Sequence, residues 1–260
     1  RTAAGCAVAK ACGGCRFQHA SYEDEWAWKA EAAFSAVERM ARGVALPPPT
    51  HAASAATVGT RHRARVWLIR GEGLMRSGFR RAGAHEVVPN EACPVLAPGM
   101  DVARTDALRL LGDVRGARSL FVEWDAVRAG AAVTFEFDRE AFVPALRQLR
   151  PRIERTPIPD TITTLAASIA PGRFASEAER TPPRALLGDG RVVRRRPCGE
   201  ASVDVYDVVS GFSQAHAEGN RALQAAVVAA LDDLPREGGV LELFCGSGNL
   251  SFPLIGAGWQ

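Results

Sequence analysis

The stretch from Cys6 to His19 reads Cys-x5-Cys-Gly-Gly-Cys-x2-Gln-His and constrains this chain more than any other. It gathers the thiols of Cys6, Cys12 and Cys15 into one short loop. Gly13 and Gly14 let the backbone fold back, so that Cys12 and Cys15 can point at one centre. A fourth thiol, Cys93, stands far down the chain in Glu-Ala-Cys-Pro. Three close thiolates and a distant one form the ligand pattern of a metal ion or an iron–sulfur cluster. The remote ligand would staple the N-terminal loop to the structure around residue 93. A disulfide framework is disfavoured by the lack of an apolar leader and by too few cysteines for this length. The spacing is not that of a radical-SAM loop. Spacing alone leaves zinc and iron–sulfur both open.

The chain has 260 residues, enough for two domains of ordinary size. Hydrophobic residues make up 47% and charged residues 23%, a soluble globular profile, and no apolar run approaches the ~20 residues of a membrane span. A net charge of +3 means that a nucleic-acid partner would be met by a local basic patch and not by overall charge. Lys10 and Lys29 are the only lysines, which a GC-rich coding sequence explains as well as any functional demand for arginine.

Residues 21–42 predict one amphipathic helix, with Ser21 and Asp24 as an N-capping pattern and Trp26, Ala30, Phe34, Val37 and Ala41 on one face. Trp26 and Trp28 read as packing residues. Residues 44–58, rich in Pro, Ala, Ser and Thr, predict a connector. Arg61 to Ile69 alternates with period two, which puts Arg61, Arg63 and Arg65 on one face of a strand and Ala64, Val66 and Leu68 on the other. A turn at Gly71 to Gly73 and a returning strand from Leu74 to Arg81 follow. Seven arginines between Arg61 and Arg81 face a single acid, Glu72, and form the strongest basic patch. A solvated sheet face explains it as a default; a phosphate-tracking RNA surface is the functional alternative.

Residues 97–112 predict a helix with Val102, Leu108 and Leu111 inward. Strands are expected at 119–124 and 131–137, and a helix from Asp138 to about Leu149. Further strands are expected at 161–169, at 185–195 split by Gly188-Asp-Gly190, and at 203–209. Arg194, Arg195 and Arg196 make a second small basic cluster, and Cys198 reads as a turn residue.

The last sixty residues change character. A helix opening near His216 carries the apolar run Leu223, Ala226, Val227, Ala230 and Leu231. Gly239 to Phe244 predicts a short apolar strand, Cys245-Gly-Ser-Gly-Asn249 a glycine-rich turn, and Leu250 to Gly256 a helix. Strand, glycine-rich turn and helix open a doubly wound α/β domain. The turn is neither G-x-G-x-x-G nor a phosphate loop. With Glu242 on the strand it suits S-adenosylmethionine better, because Gly246 and Gly248 leave room for the cofactor's amino-acid end. Cys245 reads as structural, since no activating base lies near it in sequence.

Taken together, these stretches resemble the RNA uracil-5-methyltransferases, and most closely the iron–sulfur members that methylate 23S ribosomal RNA. The matching residues are Cys6 to His19, Tyr22 with Lys29, Arg61-His-Arg, Gly78-Phe79, Cys93-Pro-Val-Leu, Gly211-Phe-Ser-Gln214, Asn220, and Val240 to Asn249, in family order. The resemblance implies a [4Fe–4S] cluster on Cys6, Cys12, Cys15 and Cys93, and contacts from Gln214, Phe244 and Asn249 to S-adenosylmethionine. It implies a cluster loop at 1–20 and a helix at 21–43 packing on the methyltransferase domain. It also implies a central α+β RNA-binding domain at 44–209, to which Arg61, Arg63 and Arg65 belong, and the start of a Rossmann-like cofactor domain at 210–260. In the implied reaction a cysteine thiolate adds to uracil C6, C5 takes the methyl group, and a base removes the C5 proton before the cysteine leaves.

Three departures matter. The family's nucleophile, base and Asp-Pro-Pro motif are expected beyond Gln260, so no catalytic residue is assigned within the chain and residues 1–260 alone are expected to be inactive. There is no room before Cys6 for the small RNA-binding barrel that many members carry. His216 stands where the family usually has Asn. The expectation is therefore a cytoplasmic, monomeric, α/β RNA methyltransferase portion, partnered by RNA and not by membrane. A non-catalytic RNA-binding protein with a structural four-cysteine metal site and a tRNA uracil-5-methyltransferase are the alternatives.

Overall fold

The computed structural model describes residues 5–71, 75–170 and 182–260. Ser21 opens the first helix, α1 (Tyr22–Met40), by accepting a hydrogen bond from the Asp24 backbone N–H at 3.0 Å. Glu23, Asp24 and Glu25 add negative charge at the positive end of the helix dipole. The face expected to point inward is not buried; no residue of α1 is. The helix is held through its polar start instead. The Tyr22 hydroxyl accepts from the Ser54 N–H at 3.0 Å, and Ser54 Oγ donates to Glu218 at 2.6 Å. Trp26 lies 4.5 Å from the His51 ring, so the connector, which has no regular secondary structure from residue 44 to 58, lies along the helix.

The centre is a seven-stranded sheet in the order β3-β2-β1-β4-β5-β6-β7. Its strands are β1 (Arg63–Arg70), β2 (Met75–Arg80), β3 (Val87–Pro89), β4 (Ala117–Asp125), β5 (Gly130–Phe137), β6 (Ile162–Ile169) and β7 (Arg184–Leu187). All neighbours are antiparallel except β5 and β6, which are parallel because α3 (Arg139–Arg155) crosses between them. The turn expected at Gly71–Gly73 lies, beyond Gly71, outside the described residues. Period-two alternation sets the faces. Ala64, Val66, Leu120, Val122, Val133, Phe135, Leu165 and Ala167 fall opposite one another in register and are all buried. Against them pack α3 and α2 (Met100–Leu111).

Within α2, Leu111 is buried as the periodicity predicts, but Val102 is exposed. The buried stripe is instead Met100, Ala103, Ala107 and Leu110, with Arg104 beneath it, so the helix is rotated from the expected face. Helix α3 begins after Asp138 as expected and runs past Leu149 to Arg155. The Asp138 carboxylate pairs with Arg118 and does not cap a backbone N–H.

The opposite face of the sheet is polar: Arg63, Arg65, Glu123, Thr134, Glu136 and Thr164 alternate with the core residues. A two-stranded hairpin, β8 (Arg191–Cys198) and β9 (Ala201–Val208), covers part of it. Ala132 and Ala166 of the sheet meet Val192 and Val209 in a small second core. Asp125 accepts from the Val193 N–H at 2.9 Å, and Glu123 from Arg194 at 2.6 Å and from the Ser210 N–H at 2.6 Å.

Helix α4 (Ala217–Ala230) starts at His216, whose Nδ1 accepts the Gly219 N–H at 2.9 Å. Its expected apolar face is again uncovered: Leu223 is exposed, and the buried residue is Gln224. The short strand expected at Gly239–Phe244 does not form. Leu241, Leu243 and Phe244 are exposed, and Phe244 has φ 60°. A strand needs a ladder partner to satisfy its N–H and C=O groups, and among the described residues no strand lies beside this segment. The final helix, α5 (Ser251–Gly256), forms where the sequence places it.

Candidate metal pocket and cofactor turn

The cysteine loop is built of turns: the N–H groups of Ala11 and Cys12 both donate to the Val8 carbonyl, at 3.0 and 2.8 Å. The loop docks on the end of β2, where the Gly13 N–H donates to the Arg80 carbonyl at 2.8 Å. A Cβ on Gly13 would lie 2.8 Å from that oxygen and 2.9 Å from the Ala82 nitrogen, so glycine is needed for the approach. Cys93 comes from the other side, on the loop between β3 and α2. Asp101 of α2 accepts the Cys93 N–H at 2.7 Å and pairs with the buried Arg104, which also donates to the Glu91 carbonyl at 2.7 Å.

Cys6, Cys12, Cys15 and Cys93 line one pocket, floored by Phe79 and shared with Gln18, Arg61 and Asn90. All four are free thiols. Among the described residues no three histidine, cysteine, aspartate or glutamate side chains are drawn together as a site for one metal ion. The chemistry of the pocket nonetheless fits a thiolate-bound group. Cys12 Sγ accepts the Gly14 N–H at 3.4 Å. Burial pushes the Cys15 thiol up, while Arg61 and a hydrogen bond from the Gln18 amide favour its thiolate. Burial likewise raises Cys93, opposed by the N–H groups of Val95 and Leu96. Three of the four thiols thus receive N–H donors, but burial outweighs them at Cys15 and Cys93, whose pKa values stand above that of an ordinary thiol.

Arg61, just before β1, and Arg63 and Arg65 at its start each have a partner in the fold. Arg61 donates to the Gly14 carbonyl at 3.3 Å, which ties it to the cysteine loop. Arg63 donates to the Ser213 carbonyl at 2.7 Å and lies over the ring of Phe121, 4.7 Å from its centroid. Arg65 pairs with the buried Glu136 at 2.8 Å, whose other oxygen accepts from Ser119 at 2.5 Å. Of the three, Arg63 reaches the Gly211–Gln214 segment, through Ser213 and over the ring of Phe212.

At the glycine-rich turn, Gly246 and Gly248 have φ of 56° and 72°. Asn249 exchanges two side-chain hydrogen bonds with Asn220 of α4, at 2.9 and 2.8 Å, and its carbonyl accepts from Gln224 at 2.8 Å. The structure therefore joins the two motif residues Asn220 and Asn249. Gln214 and Phe244 are exposed and not drawn into that network. Cys245 is exposed, where a preceding buried strand would have covered it. Two contributors were missed in the sequence. Gln224 lies four residues after Asn220 on the same helix face, a spacing that could have signalled it. Arg196 was read only as part of a basic cluster; it is buried, donates to Ser247 of the turn at 3.3 Å, and sits 3.7 Å from Asp207. Burial, and then Arg194, lowers its pKa against the opposing pull of Asp207.

Among the described residues no helix is long and apolar enough to cross a membrane.

The fold is shared with an RNA methyltransferase: the tRNA (uracil-54, C5)-methyltransferase of Pyrococcus abyssi, solved with S-adenosyl-L-homocysteine, superposes with a TM-score of 0.55 at 18% identity, over 92% of this chain and 54% of that one. Curated relatives carry the same kind of name. An uncharacterized RNA methyltransferase of Agrobacterium fabrum is 27% identical over 247 residues, 95% of this chain and 53% of the relative. The 23S rRNA (uracil(1939)-C(5))-methyltransferase RlmD of Edwardsiella ictaluri is 30% identical over 265 residues, 98% of this chain and 53% of the relative. No protein-family profile matches the chain. The resemblance read from the motifs therefore holds, and the chain spans about half the length of the curated relatives it matches.

Proposed function

We propose that this chain supplies the RNA-facing and cofactor-entrance half of an S-adenosylmethionine-dependent RNA uracil-C5 methyltransferase acting on 23S ribosomal RNA. The observation that carries the reading is the meeting of two separate motif sets in one fold. Three thiols of the N-terminal loop and one from the loop after β3 converge on one pocket, and Asn220 and Asn249 lock the glycine-rich turn to α4. In this reading residues 1–20 hold a [4Fe–4S] cluster on Cys6, Cys12, Cys15 and Cys93, which supplies a rigid anionic staple. Residues 44–209 form the central domain, with Arg61, Arg63 and Arg65 on its RNA side. Residues 210–260 open the cofactor domain, and α1 leans on it through the Tyr22–Ser54–Glu218 bridge.

S-adenosylmethionine, when bound, supplies the electrophilic methyl group. The chain's own residues prepare its place. Gly246 and Gly248 leave backbone room, Asn249 and Gln224 fix the turn, and Gln214 and Phe244 are the exposed side chains left to close over the cofactor and the base. The thiolate that adds to uracil C6 and the base that takes the C5 proton are assigned to residues beyond 260. Preference for ribosomal over transfer RNA follows the relatives named for 23S rRNA at 26–30% identity.

Deleting the gene that encodes this chain and digesting the host's RNA to nucleosides tests the reading. Loss of 5-methyluridine from 23S rRNA, by mass spectrometry, is the expected result. Loss confined to tRNA moves the substrate to tRNA. Unchanged 5-methyluridine in both contradicts the enzyme reading and favours a metal-stapled RNA-binding protein.

A further inference from the structure

Two polar atoms in the pocket lack a hydrogen-bond partner, the acceptor Gln18 Oε1 and the donor Asn90 Nδ2, and the donor is the one that bears on the thiols. Asn90 lies at the end of β3, three residues before Cys93, and its backbone N–H is fixed to the Ser77 carbonyl at 3.0 Å. It is 5% exposed and lines the same pocket as the four thiols, and its side-chain Nδ2 is buried without a hydrogen-bond partner. A buried amide donor left unpaired is costly and calls for an acceptor. Three of the four thiols around it already have donors: Cys12 the Gly14 N–H, Cys15 the Gln18 amide, and Cys93 the N–H groups of Val95 and Leu96. A single metal ion would bring no new acceptor. A cluster would, because it carries inorganic sulfides besides the thiolates.

We propose that Asn90 is a positioning residue whose carboxamide donates a hydrogen bond to a sulfur of the metal centre, and that it thereby sets the centre's reduction potential. The inference rests on the iron–sulfur reading above. Hydrogen bonds to cluster sulfur are one of the levers that set potential. Reduction adds negative charge to an already anionic centre, so an N–H donor stabilises the reduced state more than the oxidised one. Removing it makes the centre harder to reduce.

The test uses the whole 260-residue chain, reconstituted anaerobically with iron and sulfide. Asn90→Leu removes the donor at similar volume, and Asn90→Asp keeps the shape while replacing the donor with an acceptor. Midpoint potentials are read by redox titration followed by electron paramagnetic resonance, beside iron and sulfide per chain. The expected result is wild-type iron content in both variants, with the midpoint shifted to more negative potential in Asn90→Leu and further in Asn90→Asp. Full iron with an unmoved midpoint overturns the inference. Loss of iron from both variants also overturns it, and makes Asn90 a residue of the fold alone. Wild-type protein that takes up zinc and no iron overturns the cluster reading itself.

Discussion

Glu123 joins the central sheet to the hairpin and to the Gly211–Gln214 segment, and its removal gives the sharpest test of how they are held. The residue is fully buried on β4. One oxygen accepts from Arg194 of β8 at 2.6 Å, and the other from the Ser210 N–H at 2.6 Å. Ser210 has φ 66°, a left-handed backbone that a non-glycine residue adopts only when its surroundings impose it. It stands directly before the Gly211–Gln214 motif. In Glu123→Ala, Arg194 keeps Asp207 at 2.7 Å but loses its second acid, and the Ser210 N–H is orphaned. Breaking a buried ion pair from one side costs about 3–5 kcal/mol, and the surviving Asp207 places this case near 3. Glu123→Gln keeps one acceptor and loses the charge, which costs about 1.5–3 kcal/mol. Urea unfolding followed by tryptophan fluorescence measures both, with Trp124 beside the site as reporter. The exposed Arg195–Asp204 pair is the control: Arg195→Ala is expected to leave the midpoint in place. A Glu123→Ala loss below about 1 kcal/mol, the range of a surface pair, would refute the reasoning.

Gly78→Ala should separate β2 from β3, because the new Cβ would lie 1.9 Å from the Val88 carbonyl oxygen and 2.7 Å from its carbon. Overpacking of that kind costs about 1–3 kcal/mol or more, and a stability within error of wild type would contradict it. Burial, with His216, Arg221 and Arg194 nearby, holds the His62 pKa below its ordinary value. The unfolded chain then binds the extra proton first, so stability is full above about pH 6.5 and falls as pH drops from there toward the folded pKa. A His62→Gln variant should lose that slope between about pH 7 and 5, and an unchanged slope would assign it to other groups. Asn249→Ala cuts both side-chain bonds to Asn220. Hydrogen exchange should rise in residues 245–251 while β4 and β5 stay protected; unchanged exchange would show that the pair does not hold the turn.

Much of the central unit was legible because period-two alternation speaks directly about a sheet with one dry face. Arg63 to Arg70 placed Ala64 and Val66 inward as the pattern requires, and β4, β5 and β6 followed the same logic. The cysteine pocket was legible as a ligand pattern, whereas its polar lining was not. Gln18 stood in the motif without a role, and Asn90 is brought to the thiols by the β2–β3 pairing, which no periodicity encodes. Helix faces read less well. Val102 was misplaced because α2 buries Arg104 through an ion pair with Asp101, and a pattern counted on apolar residues cannot see such a pairing. The segment 239–244 has the composition of a buried strand, but composition cannot supply the neighbouring strand that would make it one. Arg196 was missed for a related reason: its role comes from where the hairpin folds back, under Ser247.

The iron–sulfur cluster proposed on four cysteines from two distant stretches joins the N-terminal loop to the sheet. Anaerobic purification with chemical analysis of iron, sulfide and zinc, beside the visible spectrum, tests it most directly. A broad brown absorption with about four irons per chain, lost in Cys12→Ser and in Cys93→Ser alike, is the expected result. Stoichiometric zinc without iron, or iron that survives loss of Cys93, would contradict it.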